Sequence, residues 1–141
     1  MPALQTGGKK KGGRMVKLVI PGEMPGMNEI IEAAKNHPMA YAQMKESNTD
    51  TVAWPAKRLQ KMKKVFLHIT WYCKDRKKDP DNIAAAVKFI WDGLVKAGVI
   101  ENDGWKQNAG WANHFEVDKH NPRVEIEIQE VGNLCRIKPQ S

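Results

Sequence analysis

The chain has 141 residues, which is enough for one modest hydrophobic core but not for two. Its 23 Lys and Arg outnumber its 16 Asp and Glu, so the net charge of +7 favours a polyanionic partner, although charge alone does not separate DNA, RNA and an anionic membrane surface. The two cysteines lie far apart and no apolar run approaches the roughly 18 residues of a membrane span, so we expect a soluble, cytoplasmic protein without a disulfide framework.

The N-terminal third mixes a basic arm with short periodic segments. Residues 1–14 combine glycines with four cationic residues and no apolar pattern, which predicts a flexible basic arm followed by a single domain over residues 15–141. Residues 16–20 predict a first strand, and Asn28 is suited to cap a helix that ends near Lys35. Further helical stretches are expected at residues 41–45 and 56–62, separated by a polar run and Pro55.

The remaining segments predict an α+β fold. Residues 65–73 alternate between two sets of β-prone side chains, and residues 80–97 carry apolar residues at helical spacing before the stop signal of Gly98. Residues 108–117 and the alternating run from Val124 predict two strands, which can pair through the turn at residues 118–122. We therefore expect a small mixed sheet with one main helix and a C-terminal β-hairpin.

Three aspartates border the predicted main helix. Asp79 and Asp81 stand at its start, and Asp103 lies in the turn that follows it. Each has a simple structural explanation, namely a helix cap, a favourable helix dipole or a turn. However, the basic run at residues 74–78 leads directly into the acids, which suggests a phosphate and a metal at one place. Oxygen-only ligands suit Mg²⁺ or Mn²⁺ rather than zinc, and such a metal assists phosphodiester cleavage.

A polar stripe follows the acids along the same predicted helix. On a wheel of 100° per residue, Lys88 and Asp92 lie within about 20° of Asp81. The stripe faces either a cleft, where the lysine can approach a phosphate, or solvent, where a pair at i and i+4 is a routine surface contact.

Basic and aromatic residues suggest how nucleic acid is bound. The candidate phosphate contacts precede the acids and are Lys63, Lys64, Lys74, Arg76, Lys77 and Lys78. Four tryptophans, Trp54, Trp71, Trp105 and Trp111, can either stack on exposed bases or belong to the core. Trp105, which stands beside the acidic turn, is the best candidate for stacking.

These motifs resemble those of the RusA family of Holliday junction resolvases. The similarity is carried by Asp79-Pro80-Asp81-Asn82, by Lys88 four residues before Asp92, and by the turn ending at Asp103. Weaker similarity extends through residues 20–29 and the C-terminal strands. One departure is that Asn82 and Lys88 are six residues apart rather than three, which adds about 4.5 Å along a continuous helix.

The resemblance implies a homodimeric, Mg²⁺-dependent endodeoxyribonuclease of a bacterial or phage-infected cell, which binds four-way DNA junctions by shape and makes paired nicks. In this family pattern Asp79, Asp81 and Asp103 match the metal-binding acids, and Lys88 matches a lysine that assists at the scissile phosphate. Two alternatives remain open: a non-catalytic nucleic-acid-binding module, and a nuclease for other branched DNA. Cleavage of junction, fork and linear duplex distinguishes them.

Overall fold

The computed structural model describes residues 14–132, so the predicted basic arm lies outside the described residues except for Arg14. The elements in chain order are β1 (Met15–Pro21), α1 (Met27–Asn36), α2 (Pro38–Ala56), β2 (Val65–Cys73), α3 (Pro80–Ala84), α4 (Val87–Lys96), β3 (Asn108–Val117) and β4 (Arg123–Glu130). The four strands form one mixed sheet in the order β1-β4-β2-β3. This confirms the predicted α+β class. None of the helices within residues 14–132 is long and apolar enough to cross a membrane.

One face of the sheet forms the core. Alternate residues of β2, including Leu67 and Ile69, are fully buried, as are Leu18 of β1 and Ile126 of β4. The other side chains of β2 are only partly buried, because α2 and α4 cover a single face. The α2 and α4 helices approach closely at Gly93, where an added Cβ would lie 2.5 Å from the Cβ of Val52. The core therefore joins the sheet to α4, the helix that follows the acidic segment at residues 79–81.

The predicted C-terminal hairpin is wrong, although both of its strands exist. The β4 strand lies between β1 and β2 and is antiparallel to both, whereas β3 is parallel to β2 on its other side. The buried Val124, Ile126 and Ile128 suit a central strand, while β3, with no fully buried side chain, suits an edge. Parallel pairing of β2 and β3 requires a crossover connection, which α3 and α4 provide.

The predicted helices also differ from the observed ones. Residues 38–56 form one continuous helix rather than two separated pieces, and residues 57–62 are not helical. Thr49, Val52 and Ala53 are buried, so packing of this helix outweighs the weak helix propensity of the polar run. The N-cap of α1 is Gly26 rather than Asn28, which lies inside the first turn.

The main helix is interrupted at Ala85 and Ala86. Its two parts, α3 and α4, are joined by a tight turn in which the Ala86 N–H donates to the Ile83 carbonyl at 3.3 Å. The predicted single helix over residues 80–97 is therefore wrong. Because the wheel argument assumed a continuous helix, the alignment of Lys88 with Asp81 no longer follows from it.

Candidate metal and nucleic-acid site

Asp79 and Asp81 stand where β2 gives way to α3. Asp79 is the N-cap residue of α3 and has extended backbone angles, but its side chain makes no capping hydrogen bond. Both side chains are exposed, and neither carboxylate accepts a hydrogen bond from any residue in the described part of the chain. The capping role that the sequence allowed for the Asp79 side chain is thus not realised. Two carboxylates remain available for an external cation.

The N-terminus of α1 holds the acidic segment from its C-terminal side. The side-chain Oδ1 of Asn82 accepts a hydrogen bond from the Asn28 N–H at 3.2 Å. An added Cβ at Gly26 would lie 2.5 Å from the same Oδ1, so only glycine allows this close approach. Asn82 therefore ties the first turn of α3 to α1, and it is a positioning residue for Asp79 and Asp81.

Glu29 holds the same segment from its N-terminal side. Its Oε1 accepts hydrogen bonds from the Gly26 N–H at 2.7 Å and from Lys78 Nζ at 3.0 Å. The bond from Gly26 and, next, the bond from Lys78 lower the pKa of Glu29 below its usual value. Sequence reasoning did not identify Gly26, Asn28, Glu29 and Asn82 as one unit. The sequence shows Gly26, Asn28 and Glu29 close together in one segment and Asn82 in another. It does not show that the two segments touch, because that contact depends on the tertiary structure.

The predicted phosphate contacts divide into two groups. Lys74, Lys77 and Lys78 line a cavity of about 340 Å³ beside the acidic segment, together with Glu23 and Glu29, and Arg76 lines the neighbouring surface with Asp79. Lys63 and Lys64, by contrast, precede the first residue of β2. The nine residues of β2 span roughly 26 Å between these ends, since each step of a strand advances about 3.3 Å. Only the first group adjoins Asp79 and Asp81.

Asp103 lies near the Lys64 end of β2. The turn that follows it is fixed to β2 because the Val65 N–H donates to the Gln107 carbonyl at 2.9 Å. Asp103 lines a concave surface with Thr49, Asp92 and Asn102, whereas Asp79 lines a different one with Cys73 and Val117. A hairpin packed beside the start of the helix would bring Asp103 close to Asp79 and Asp81. Within one chain, the structure does not bring these acids together.

Lys88 and Asp92 form the contact that their spacing allowed. Lys88 Nζ lies 3.4 Å from Asp92 Oδ1, which is long for a charged hydrogen bond, and the Lys88 side chain is 60% exposed. The other oxygen of Asp92, Oδ2, is buried without a hydrogen-bond partner in the described chain, as is Thr49 Oγ1. The pair therefore leaves Lys88 free to reorient and leaves an unsatisfied oxygen beside Asp103.

These donors fit a hard divalent cation in chemistry but do not form a complete cage. Across residues 14–132, no group of three or more His, Cys, Asp or Glu side chains lies close enough together to hold a metal ion. Mg²⁺ commonly uses one or two carboxylates and completes its shell with water and substrate phosphate. The exposed carboxylates of Asp79 and Asp81 are ligands of this kind.

Comparison with known proteins gives one clear similarity. Residues 13–129 match the protein family described as endodeoxyribonuclease RusA. The match includes every element from β1 to β3 and nearly all of β4, together with the three predicted metal-binding acids. A search of curated individual proteins finds no significant match.

Proposed function

Because this chain belongs to the RusA family of endodeoxyribonucleases, we propose that it resolves four-way DNA junctions by metal-dependent, paired phosphodiester cleavage. Family membership itself implies endonuclease activity of the Holliday junction resolvase class and binding of branched DNA. The observation that best supports the proposal is a pair of exposed carboxylates, Asp79 and Asp81, which follow a basic segment directly and have no hydrogen-bond partner within residues 14–132. Polyanion-binding and cation-binding groups together suit a cleaved phosphodiester.

We propose Asp79, Asp81 and Asp103 as the residues that hold Mg²⁺, with Mn²⁺ as a substitute. Such a metal neutralises charge on the phosphodiester and lowers the pKa of the attacking water. The α1 contacts of Asn82 and Lys78 fix the two ends of the Asp79 to Asp81 segment, which limits the entropy lost when the carboxylates are occupied. The chain's own contribution is therefore a preorganised pair of charges.

The separation of Asp103 from the other two acids leads us to propose a shared site. A homodimer allows Asp79 and Asp81 of one protomer to meet Asp103 of the partner subunit, and its symmetry then produces two equal sites. One site per scissile strand is the arrangement that paired nicking requires. In this proposal a single chain is inactive because its acids lie near opposite ends of β2.

Lysines supply the remaining charge in the proposal. Lys74, Arg76 and Lys77 are the cations near the acids that form no side-chain ion pair in the described chain, so we assign them to phosphates of the junction arms. Lys88 leaves its long contact with Asp92 and approaches the scissile phosphate. Lys63 and Lys64 contact a second stretch of DNA, near the other end of β2.

Cleavage of a labelled synthetic four-way junction tests the proposal directly. Forked DNA and linear duplex of the same sequence serve as controls, each with Mg²⁺, with Mn²⁺ and with EDTA. Paired nicks confined to the junction and abolished by EDTA are expected. Equal cleavage of the fork would favour a nuclease for branched DNA in general. Tight junction binding without cleavage in either metal would instead indicate a non-catalytic binding module.

A further inference from the structure

The turn after Asp103 presents a tryptophan almost entirely to solvent. Trp105 is 95% exposed, the highest value among the exposed large hydrophobic residues of the described chain. A tryptophan ring offers a large apolar area, so leaving it in water forgoes substantial stabilisation. We propose that Trp105 stacks on an unpaired base at the branch point of the DNA. This inference rests on the proposed function and specifies how the same protein recognises its substrate.

The backbone under Trp105 is well fixed. The Gly104 carbonyl accepts hydrogen bonds from the Gln107 N–H at 3.1 Å and from the Asn108 N–H at 2.9 Å. The Asn102 Oδ1 accepts from the Asp103 N–H at 2.9 Å on the other side of Trp105. The ring is therefore displayed by an ordered turn, which lowers the entropic cost of binding a ligand on it.

The charges around this turn favour nucleic acid over another apolar partner. Lys106 is the next residue, and Lys63 and Lys64 precede Val65, whose N–H bonds to the carbonyl at the end of the turn. All three lysines are exposed. Cations that flank an aromatic ring form the usual surface for single-stranded nucleic acid, because the lysines bind phosphates while the ring binds a base.

The position of the ring connects it to the proposed chemistry. Asp103 and Trp105 line one open cavity of about 380 Å³, which continues to Trp111 on the edge strand β3. Trp111 is 42% exposed and packs edge-on against Trp91, with 6.0 Å between ring centroids. A base held on Trp105 thus places its own backbone beside Asp103. In this proposal Trp105 contacts the base, and Trp111, which is packed against Trp91, lines the other part of the same cavity.

The test compares three variants in EDTA, where binding is measured without cleavage. W105A removes the ring, W105F retains a smaller one, and W54A removes a ring that is 74% exposed on α2, where Lys57 Nζ lies 5.0 Å from the ring centroid. Each is titrated with a four-way junction carrying 2-aminopurine at the branch point and with linear duplex. W105A should weaken junction binding by roughly five- to 150-fold, with a smaller loss for W105F. Quenching of 2-aminopurine should disappear in W105A alone.

Three outcomes overturn the inference. W105A that binds and quenches as the wild-type protein does shows that the ring makes no stacking contact. An equal loss in W54A points to a general effect of exposed tryptophans. W105A that dissociates a dimer in sedimentation experiments assigns the ring to contact between two copies. Cleavage by the wild-type protein is measured in parallel with Mg²⁺, so that failure of the proposed function is seen independently of these results.

Discussion

Asp79 and Asp81 stand two residues apart in the chain, and neither carboxylate has a hydrogen-bond donor among residues 14–132. Asp81 stands in the first turn of α3, where a negative charge is favourable, but neither carboxylate is neutralised by a hydrogen bond or an ion pair within those residues. The nearby Lys78, which could have neutralised one of them, is paired with Glu29 instead. Both charges are thus left exposed, which agrees with the cation-binding role that we propose for them.

Replacement of Asp81 by Asn tests this role at a single residue. Asp81→Asn removes one ligand charge at nearly constant shape, so cleavage of a four-way junction should fall by at least about 100-fold, since even loss of a residue that only supports a ligand often costs 10- to 100-fold. Junction binding in EDTA should stay the same or tighten, because repulsion of phosphate decreases.

The matched control is Asp50→Asn, which removes the same charge from the exposed ion pair between Asp50 of α2 and Lys96 of α4. This variant should cleave normally, because an exposed ion pair contributes little to stability and Asp50 lies away from the acidic segment. Near-normal cleavage by Asp81→Asn would exclude Asp81 as a metal ligand.

At the scale of elements, the junction between α1 and α3 determines where the acidic segment sits. Gly26→Ala places a Cβ 2.5 Å from Asn82 Oδ1 and 3.2 Å from the Asn82 carbonyl. We expect a loss of about 1–3 kcal/mol in the free energy of unfolding, as overpacking usually costs, together with reduced cleavage. Urea unfolding and junction cleavage are the measurements.

A double-mutant cycle assigns this effect to the contact. In Asn82→Ala the closest two atoms, Oδ1 and Cγ, are removed, so Gly26→Ala should cost less stability in that background. Gly104→Ala is the control, because its nearest neighbour would be 4.0 Å away. Additive losses in the cycle would mean that Gly26 and Asn82 are not coupled.

The helices and strands also show which features the sequence alone predicts and which it does not. The alternation at residues 65–73 identified β2 because both sets of its side chains are β-prone, and the motif residues identified Asp79 and Asp81 as a local pair. The order of strands was missed, because alternation within a strand does not say which strands are its neighbours. The continuity of α2 was missed as well, since burial of Thr49 and Val52 outweighs local propensity. Long-range pairing thus limited the prediction of the site, including the place of Asp103.

For the whole molecule, the parallel pairing of β2 and β3 has a direct consequence for the acids. The crossover through α3 and α4 returns the chain to the start of β2, so Asp79 and Asp103 lie toward opposite ends of that strand. If the three acids form one metal site, as we propose, a single chain can supply only part of it. This is the structural reason to expect that two copies act together, with residues from both at each scissile phosphate.

Mixed dimers provide the decisive experiment. Asp81→Asn and Asp103→Asn homodimers should each be inactive, because every site lacks one acid. If the sites are shared, a dimer with one copy of each variant has one site with both defects and one intact site. Refolding the two variants together makes about half of the dimers mixed, given equal pairing of the protomers.

The mixture should then nick four-way junctions with Mg²⁺, and each mixed dimer should cut one strand instead of two. In the control, each variant is refolded alone at the same total protein concentration, and no activity should be restored. If all three acids of a site come from one chain, each copy carries its own defect in every dimer, and the mixture must remain inactive. Single-strand nicks on a doubly labelled junction therefore separate a shared site from a site within one chain, whatever the strength of metal binding.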